Sequence, residues 1–426
     1  MKMMPYWLDT AAPFASAASG APNGTADVAV VGAGFTGLSA ALALAKKGAK
    51  VVVLEADRVA GAASGRNGGM CNNGFAQDYG GMVETFGLER ANAFYRAFDA
   101  GVDKVESIVA EEGIDCQFGR VGKLKVAAKP EHYEKIIRSQ ELLARNVDPE
   151  TRLVTPAELP SEIGSDRFYG GMLYEKSANM HMGMYGQGLA EAVVRRGGRV
   201  YEHNPLVKMR RVSGASHELS TPHGTVKANQ VLLATGTSAY GPLGWFRRRI
   251  VPVGAYLIAT EPLPVDLLDR LTPRRRNTVD TRNFVSYFRT TPDNRILFGG
   301  RARFSSRSDP AADAKSGAIL RRSMIEFFPE LADVRIDYCW GGMVDMTRDR
   351  LPRAGERDGL FYSMGYSGHG THMATYMGAI MAEVLDGKAG LNPWRDFDWP
   401  AIPGHFGKPW FLPFVGAYYR YKDLVG

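Results

Sequence analysis

Cysteine is scarce: Cys71, Cys116 and Cys339 are scattered through 426 residues, too few for a disulfide framework and without metal-type spacing. An odd, sparse set suits a reducing cytoplasm. No unbroken apolar run is long enough to cross a bilayer. The first 25 residues are rich in Ala, Ser and Pro but lack the continuous apolar core of a signal peptide, and they read as an ordered or semi-ordered arm. Repeats, a nucleophile triad and a metal cluster are also missing. The net charge of +7 is carried partly by Arg247-Arg248-Arg249 and Arg274-Arg275-Arg276. A broad basic stripe with interleaved aromatics is lacking, so no nucleic-acid partner is expected.

What the chain does contain begins at Asp27. An apolar run (28–31) enters Gly32-x-Gly34-x-x-Gly37, a small-residue helix pattern follows, and a second apolar run (51–54) stops on Glu55. Gly32 allows a tight turn, Gly34 lets the backbone approach a pyrophosphate, and Gly37 lets helix and sheet pack closely. The start of the helix, with Phe35 and Thr36, then presents unpaired N–H groups and a partial positive charge. Glu55 falls where an acid can bind a ribose hydroxyl. Strand, glycine turn, helix, strand and acid together predict a dinucleotide site.

Beyond Glu55 the pattern is α/β and interrupted. Helix-like sequence runs over 88–112 and 131–145, then over 183–196. Strands are expected at 199–202, 205–212, 224–228 and 230–236, β-rich sequence over 251–303, and a last helix over 371–385. The nucleotide features are dispersed, which predicts a Rossmann-type dinucleotide domain of residues 26–80, 172–240 and 345–390. A β-rich substrate domain of 81–171 and 241–344 would interrupt it. Residues 391–426, dense in aromatics and prolines, read as a wrap, a dimer contact or a membrane-surface patch.

Four further segments carry a resemblance: Ala63-Ser64-Gly65-Arg66-Asn67-Gly68-Gly69, Ala234-Thr235-Gly236, Asp293-Asn294-Arg295-Ile296-Leu297-Phe298-Gly299-Gly300, and Gly365-Tyr366-Ser367-Gly368-His369-Gly370. With the Gly32 motif and Leu54-Glu55-Ala56, and in order from about residue 26 to 387, the chain resembles the flavin-dependent amine-oxidising family of D-amino acid, glycine and sarcosine oxidases. Within that family it is similar to the gamma-glutamylputrescine oxidoreductase group. The resemblance implies FAD in a domain of the glutathione-reductase-like type, and only one GxGxxG is present to hold an adenine dinucleotide. It implies that Ser64 to Gly69 line the flavin, with Ser64 and Arg66 as donors. Gly365, Ser367, Gly368, His369, Gly370 and Thr371 would face its pyrimidine end, and Ala56, Val207 and Ala234 to Gly236 would complete the cofactor contacts. Relatives that tether flavin use a His or Cys where this chain has Arg66-Asn67 and Gly341-Gly342-Met343-Val344. Non-covalent FAD is therefore expected, with Cys71 a buried residue.

The implied reaction oxidises a C–N bond of an amine or amino-acid-like substrate, with a gamma-glutamylated amine among the candidates. Hydride passes to flavin N5 and the imine then hydrolyses. His369 is the one catalytic candidate. An amine of lysine-like pKa, about 10.4, must react neutral, so a poorly hydrated aromatic pocket is expected; the candidates are Tyr256, Tyr287, Phe288 and Trp340. Arg282, Arg289, Arg301, Arg303 and Arg348 could clamp a carboxylate. Two departures stand out: His181-Met182 where relatives read His-Pro, and Leu297 where sarcosine-type enzymes carry a lysine. The electron acceptor, oxygen or a quinone or carrier, stays open, and a tRNA-modification-type flavoprotein is a competing reading.

Overall fold

The computed structural model describes residues 1–300, 304–306 and 308–425; Arg301 and Arg303 lie outside them. Two eight-stranded sheets share the chain. The first runs Arg353–Arg357, Leu360–Met364, Thr225–Leu233, Gly24–Val31, Val51–Leu54 and Arg199–Tyr201, with the hairpin Lys208–Ser213 and Ser216–Ser220 added beside Thr225–Leu233. Its central pairings are parallel, with Val28 level with both Gln230 and Val51. Strands covered on both faces need unbroken apolar sequence. The runs 28–31, 51–54 and 231–233 supply it, and every residue in them is buried.

Two glycines set the geometry around the first turn. Gly32 has φ +105°, a conformation open to glycine. A Cβ on Gly37 would lie 1.9 Å from the Gly32 carbonyl oxygen, so only hydrogen fits between helix Phe35–Lys46 and the turn. Helix Gly370–Leu385 closes on the same helix, where Gly378 faces the Thr36 carbonyl.

The second sheet runs Ile336–Met346, Val251–Thr260, Ile296–Gly300, Ser286–Thr290, Asn277–Asp280, Lys123–Val126, Gly171–Tyr174 and Arg152–Val154. One side packs a core of Phe288, Phe298, Phe327 and Phe328, helped by helix Pro310–Phe327. Strand alternation sends Val253, Ala255 and Leu257 the other way, into a cavity beside the first sheet.

Several expected boundaries move. Gly171–Tyr174 pairs within the second sheet, although 172 was assigned to the dinucleotide unit. Helix Leu88–Glu112, assigned to the inserted unit, packs its Phe98 and Gly101 against His372 of the dinucleotide unit. The strands read at 224–228 and 230–236 are one strand, Thr225–Leu233. Helix Pro310–Phe327 was not anticipated, although Pro310 at its first position and Asp309 capping Ala312 N–H announce it. Helix Leu412–Val425 lies inside the expected wrap.

The N-terminal arm is ordered. Lys2 joins strand Ile336–Met346, its N–H donating to Asp337 O (2.6 Å) and its carbonyl accepting from Cys339 N–H (2.9 Å). Trp7 is fully buried, and its indole N–H donates to Asn67 O at 2.7 Å.

Candidate active site

A cavity of about 1260 Å³ runs between the two sheets. At one end Gly32, Gly34, Phe35 and Thr36 form its wall with Glu55 and Ala56. The Glu55 carboxylate accepts from Ala33 N–H (2.7 Å) and Asp57 N–H (2.9 Å), which fixes its orientation, while burial raises its pKa. A Cβ on Gly34 would stand 3.0 Å from Ser64 Oγ, which takes the Phe35 N–H at the start of the following helix, while Gly34 itself offers no capping side chain. That close-approach helix start beside an oriented acid fits a dinucleotide. Ala234, Thr235 and Gly236 close the wall, together with Leu206. Val207 does not join them: its side chain is exposed and its N–H donates to Ser220 O at 2.8 Å. A loop entering a hairpin gave no sign of which neighbour would turn inward.

In the middle, Ser64, Arg66, Asn67 and Gly68 line the cavity. Ser64 Oγ accepts from Phe35 N–H (3.1 Å), leaving its own O–H to donate. Arg66, expected as a donor to the cofactor, gives Nε to Gly61 O (2.9 Å) and Nη1 to Gly341 O (3.1 Å), and so pins the loop to strand Ile336–Met346. Gly65 and Gly69 pack behind the wall. A Cβ would meet Ala60 O at 2.3 Å in the first case and Arg289 Nη1 at 2.7 Å in the second. Cys71 is fully buried and lies off the cavity.

Opposite this loop, Ser367, Gly368, His369, Gly370 and Thr371 face the cavity at the start of helix Gly370–Leu385. Gly365 lies behind them with φ +82°, its N–H donating to the Asp345 carboxylate at 2.6 Å. Burial pushes Asp345 up to about 6. Burial also pushes His369 down to about 4, so its imidazole is neutral, and its buried Nδ1 has no hydrogen-bond partner. His372, one turn on, also lines the cavity, with both ring nitrogens unpaired.

At the far end the aromatic candidates separate. Tyr287 lines the cavity, and Gly68 and Gly299 leave room for its ring. Tyr256 and Phe288 point into the second sheet's other core, because strand parity puts them there. Trp340 is buried and donates to Arg66 O at 3.0 Å, supporting the loop and not the cavity. Among the arginines, Arg289 is buried and gives Nη1 to Gly69 O (2.6 Å) and Met180 O (3.0 Å). Arg348 is exposed and off the cavity. Arg282 lines it but pairs with Asp280 at 2.6 Å.

The cations Lys123, Lys125, Lys135, Arg138 and Arg350, none of them singled out by the sequence, also line the cavity. Lys123 Nζ donates to Asn73 O (2.5 Å) and sits 3.6 Å from the centre of the Tyr174 ring, and burial pushes it down to about 7. Lys125 and Arg350 reach the same cavity, and neither side chain makes a hydrogen bond or ion pair among the described residues. The alternation Lys123, Leu124, Lys125, Val126 was the available signal: two cations on one face of a strand whose other face is core. Among the described residues no cluster of acids, histidines or cysteines is arranged to hold a metal.

Comparison with known proteins agrees with this geometry. The sequence profile of the DAO family, FAD dependent oxidoreductase, matches residues 27–384. The chain is 34% identical over 85% of its length to a probable oxidoreductase OrdL of Haemophilus influenzae, covering 83% of that protein. It is 32% identical to the gamma-glutamylputrescine oxidoreductase of Escherichia coli over 94% of both chains. The fold superimposes on the L-proline dehydrogenase of P. horikoshii with a TM-score of 0.71 at 19% identity, covering 87% of this chain and 97% of that one. With glycine turn, oriented acid and flavin-type loops on one cavity, the chain belongs to the DAO family of FAD-dependent oxidoreductases.

Proposed function

We propose that this enzyme oxidises the C–N bond of an amine that carries a carboxylate at a distance, a gamma-glutamylated amine being the type compound. The observation that carries the reading is Lys123. The cavity pushes a resident amine from an ordinary pKa of 10.5 down to about 7. A substrate amine entering the same poorly hydrated space meets the same preference for the neutral, oxidisable form. In water the deprotonation at pH 7 costs roughly 4–5 kcal/mol, so this environment removes much of the barrier.

Gly32, Gly34, Glu55, Ala56, Ser64, Asn67, Gly68 and Ala234 to Gly236 would hold FAD, with the start of helix Gly370–Leu385 facing its ring system. When bound, FAD supplies the two-electron oxidant for the carbon beside nitrogen, and the imine so formed is hydrolysed by water to a carbonyl and an amine. The chain's own residues do the rest. Tyr287 and Tyr174 flank the space, Lys123 Nζ, about half neutral at pH 7, can take the substrate's proton, and neutral His369 lines the cavity. Lys125 and Arg350, whose side chains make no hydrogen bond or ion pair of their own among the described residues, suit a carboxylate on the substrate's far end. The identity with gamma-glutamylputrescine oxidoreductase supports the same class.

Anaerobic mixing of the FAD-loaded enzyme with gamma-glutamylated amines, the corresponding free diamines, N-methyl amino acids and D-amino acids tests this. Flavin absorbance should fall fastest with the first. A faster response to a free diamine would overturn the carboxylate, and no response to any of them would overturn amine oxidation. Admitting oxygen afterwards and measuring peroxide separates an oxidase from an enzyme that uses a quinone or carrier.

A further inference from the structure

The C-terminal helix Leu412–Val425 has one face in contact with the protein and one without. Inward, Leu412 is buried, Tyr419 stacks on Phe304 (5.5 Å, 11°), and a Cβ on Gly416 would stand 3.1 Å from the Phe304 side chain. The Asp423 carboxylate accepts from Asn283 N–H and Nδ2 and from Phe284 N–H, each at 2.8 Å. Outward, Trp410 is 65%, Phe414 70%, Tyr418 53% and Tyr421 62% exposed, and Phe406, just before them, is 81% exposed. Trp410 touches Phe414 with ring centres 6.4 Å apart, and the spacing 414, 418, 421 keeps one helix face.

Charge says what covers this face. No acidic residue occurs between Asp398 and Asp423, and Asp423 is turned inward. Lys408, Arg420 and Lys422 are exposed beside the stripe. Arg248, from one of the arginine runs, is exposed on a segment whose carbonyl accepts from Ile402 N–H. A two-fold contact with a second copy would set these cations against their own images. An anionic lipid surface is complementary to them, and Trp, Tyr and Phe rings flanked by Lys and Arg are the side chains that settle at a headgroup boundary. We propose that this helix docks the enzyme on anionic membrane surfaces, lying in the interface without crossing it. Asn283, which Asp423 holds, lines the active-site cavity, so docking brings that end of the cavity toward the lipid.

Co-sedimentation of the full-length FAD-loaded enzyme with phosphatidylcholine vesicles, with and without a third of phosphatidylglycerol, tests the proposal. Binding to the anionic vesicles alone is expected, released by salt and accompanied by a blue shift of Trp410 emission. The variant Phe414→Ser/Tyr418→Ser, which alters only exposed rings and should keep its flavin, is expected to bind about 10-fold or more weakly. Failure to sediment with either vesicle, or undiminished binding by the variant, would overturn it. So would a dimer in solution that the same variant dissolves, which would assign the face to a second copy.

Discussion

Lys123 shows how one buried side chain makes the site measurable. It titrates near pH 7 in the folded chain and near 10.4 when unfolded. Between these values the unfolded chain binds the extra proton, so stability rises with pH across that window and is lost as pH falls toward 7. Lys123→Met removes the titration. It is expected to raise the melting temperature relative to the unmodified chain near pH 7, with the difference closing above about pH 10. In anaerobic flavin bleaching by an amine, the same variant should shift the rate-limiting ionisation upward, toward that of the free amine. A pH profile identical to that of the unmodified chain would remove Lys123 from proton handling. At this scale the sequence was legible where a residue's role is local. Gly32 and Gly37 carry theirs in the backbone, and Glu55 carries its own in its distance from them. Tyr256 and Trp340 were misplaced because the face a strand residue takes depends on which sheet the strand joins. Lys123 and Asp345 were overlooked because a charged residue in an apolar strand says nothing of its depth.

At the scale of elements, the loop Ser64–Gly69 is held from three sides. Arg66 ties it to strand Ile336–Met346, Trp340 supports it from that strand, and Trp7 of the arm donates to Asn67 O. Trp7→Ala empties a site that the indole fills completely, at a cost of about 3–5 kcal/mol. It also leaves Asn67 O without its donor. Faster release of FAD, followed by the recovery of flavin fluorescence, is expected with the overall fold retained; unchanged release would show that the arm is only packing. The strand–turn–helix start and the helices 88–112 and 371–385 were readable from periodicity and glycine spacing. The arm's role was not, since its contacts lie with residues 60 to more than 300 positions away.

At the scale of the molecule, the cavity is walled by both sheets, so its occupant couples them. FAD at a hundredfold excess over its dissociation constant adds about 2.7 kcal/mol to stability. A single thermal transition at a higher temperature is expected for the loaded enzyme. The apoenzyme should melt earlier and, with the sheets less firmly joined, over a broader range; calorimetry with and without FAD checks this. That the chain leaves the first sheet and returns to it was legible from the dispersed motifs. Which elements go with which sheet was less so: Leu88–Glu112 packs against His372, and Gly171–Tyr174 pairs in the second sheet.

The order of strands in the first sheet has a bearing on biosynthesis. Gly24–Val31 leaves the ribosome some two hundred residues before its partner Thr225–Leu233, and the opposing loop at Ser367 to Thr371 comes later still. The glycine turn therefore waits for some two hundred residues of further chain before its sheet neighbour exists. Cofactor capture has to follow the synthesis of Thr371, because the opposing wall of the cavity is not made before then.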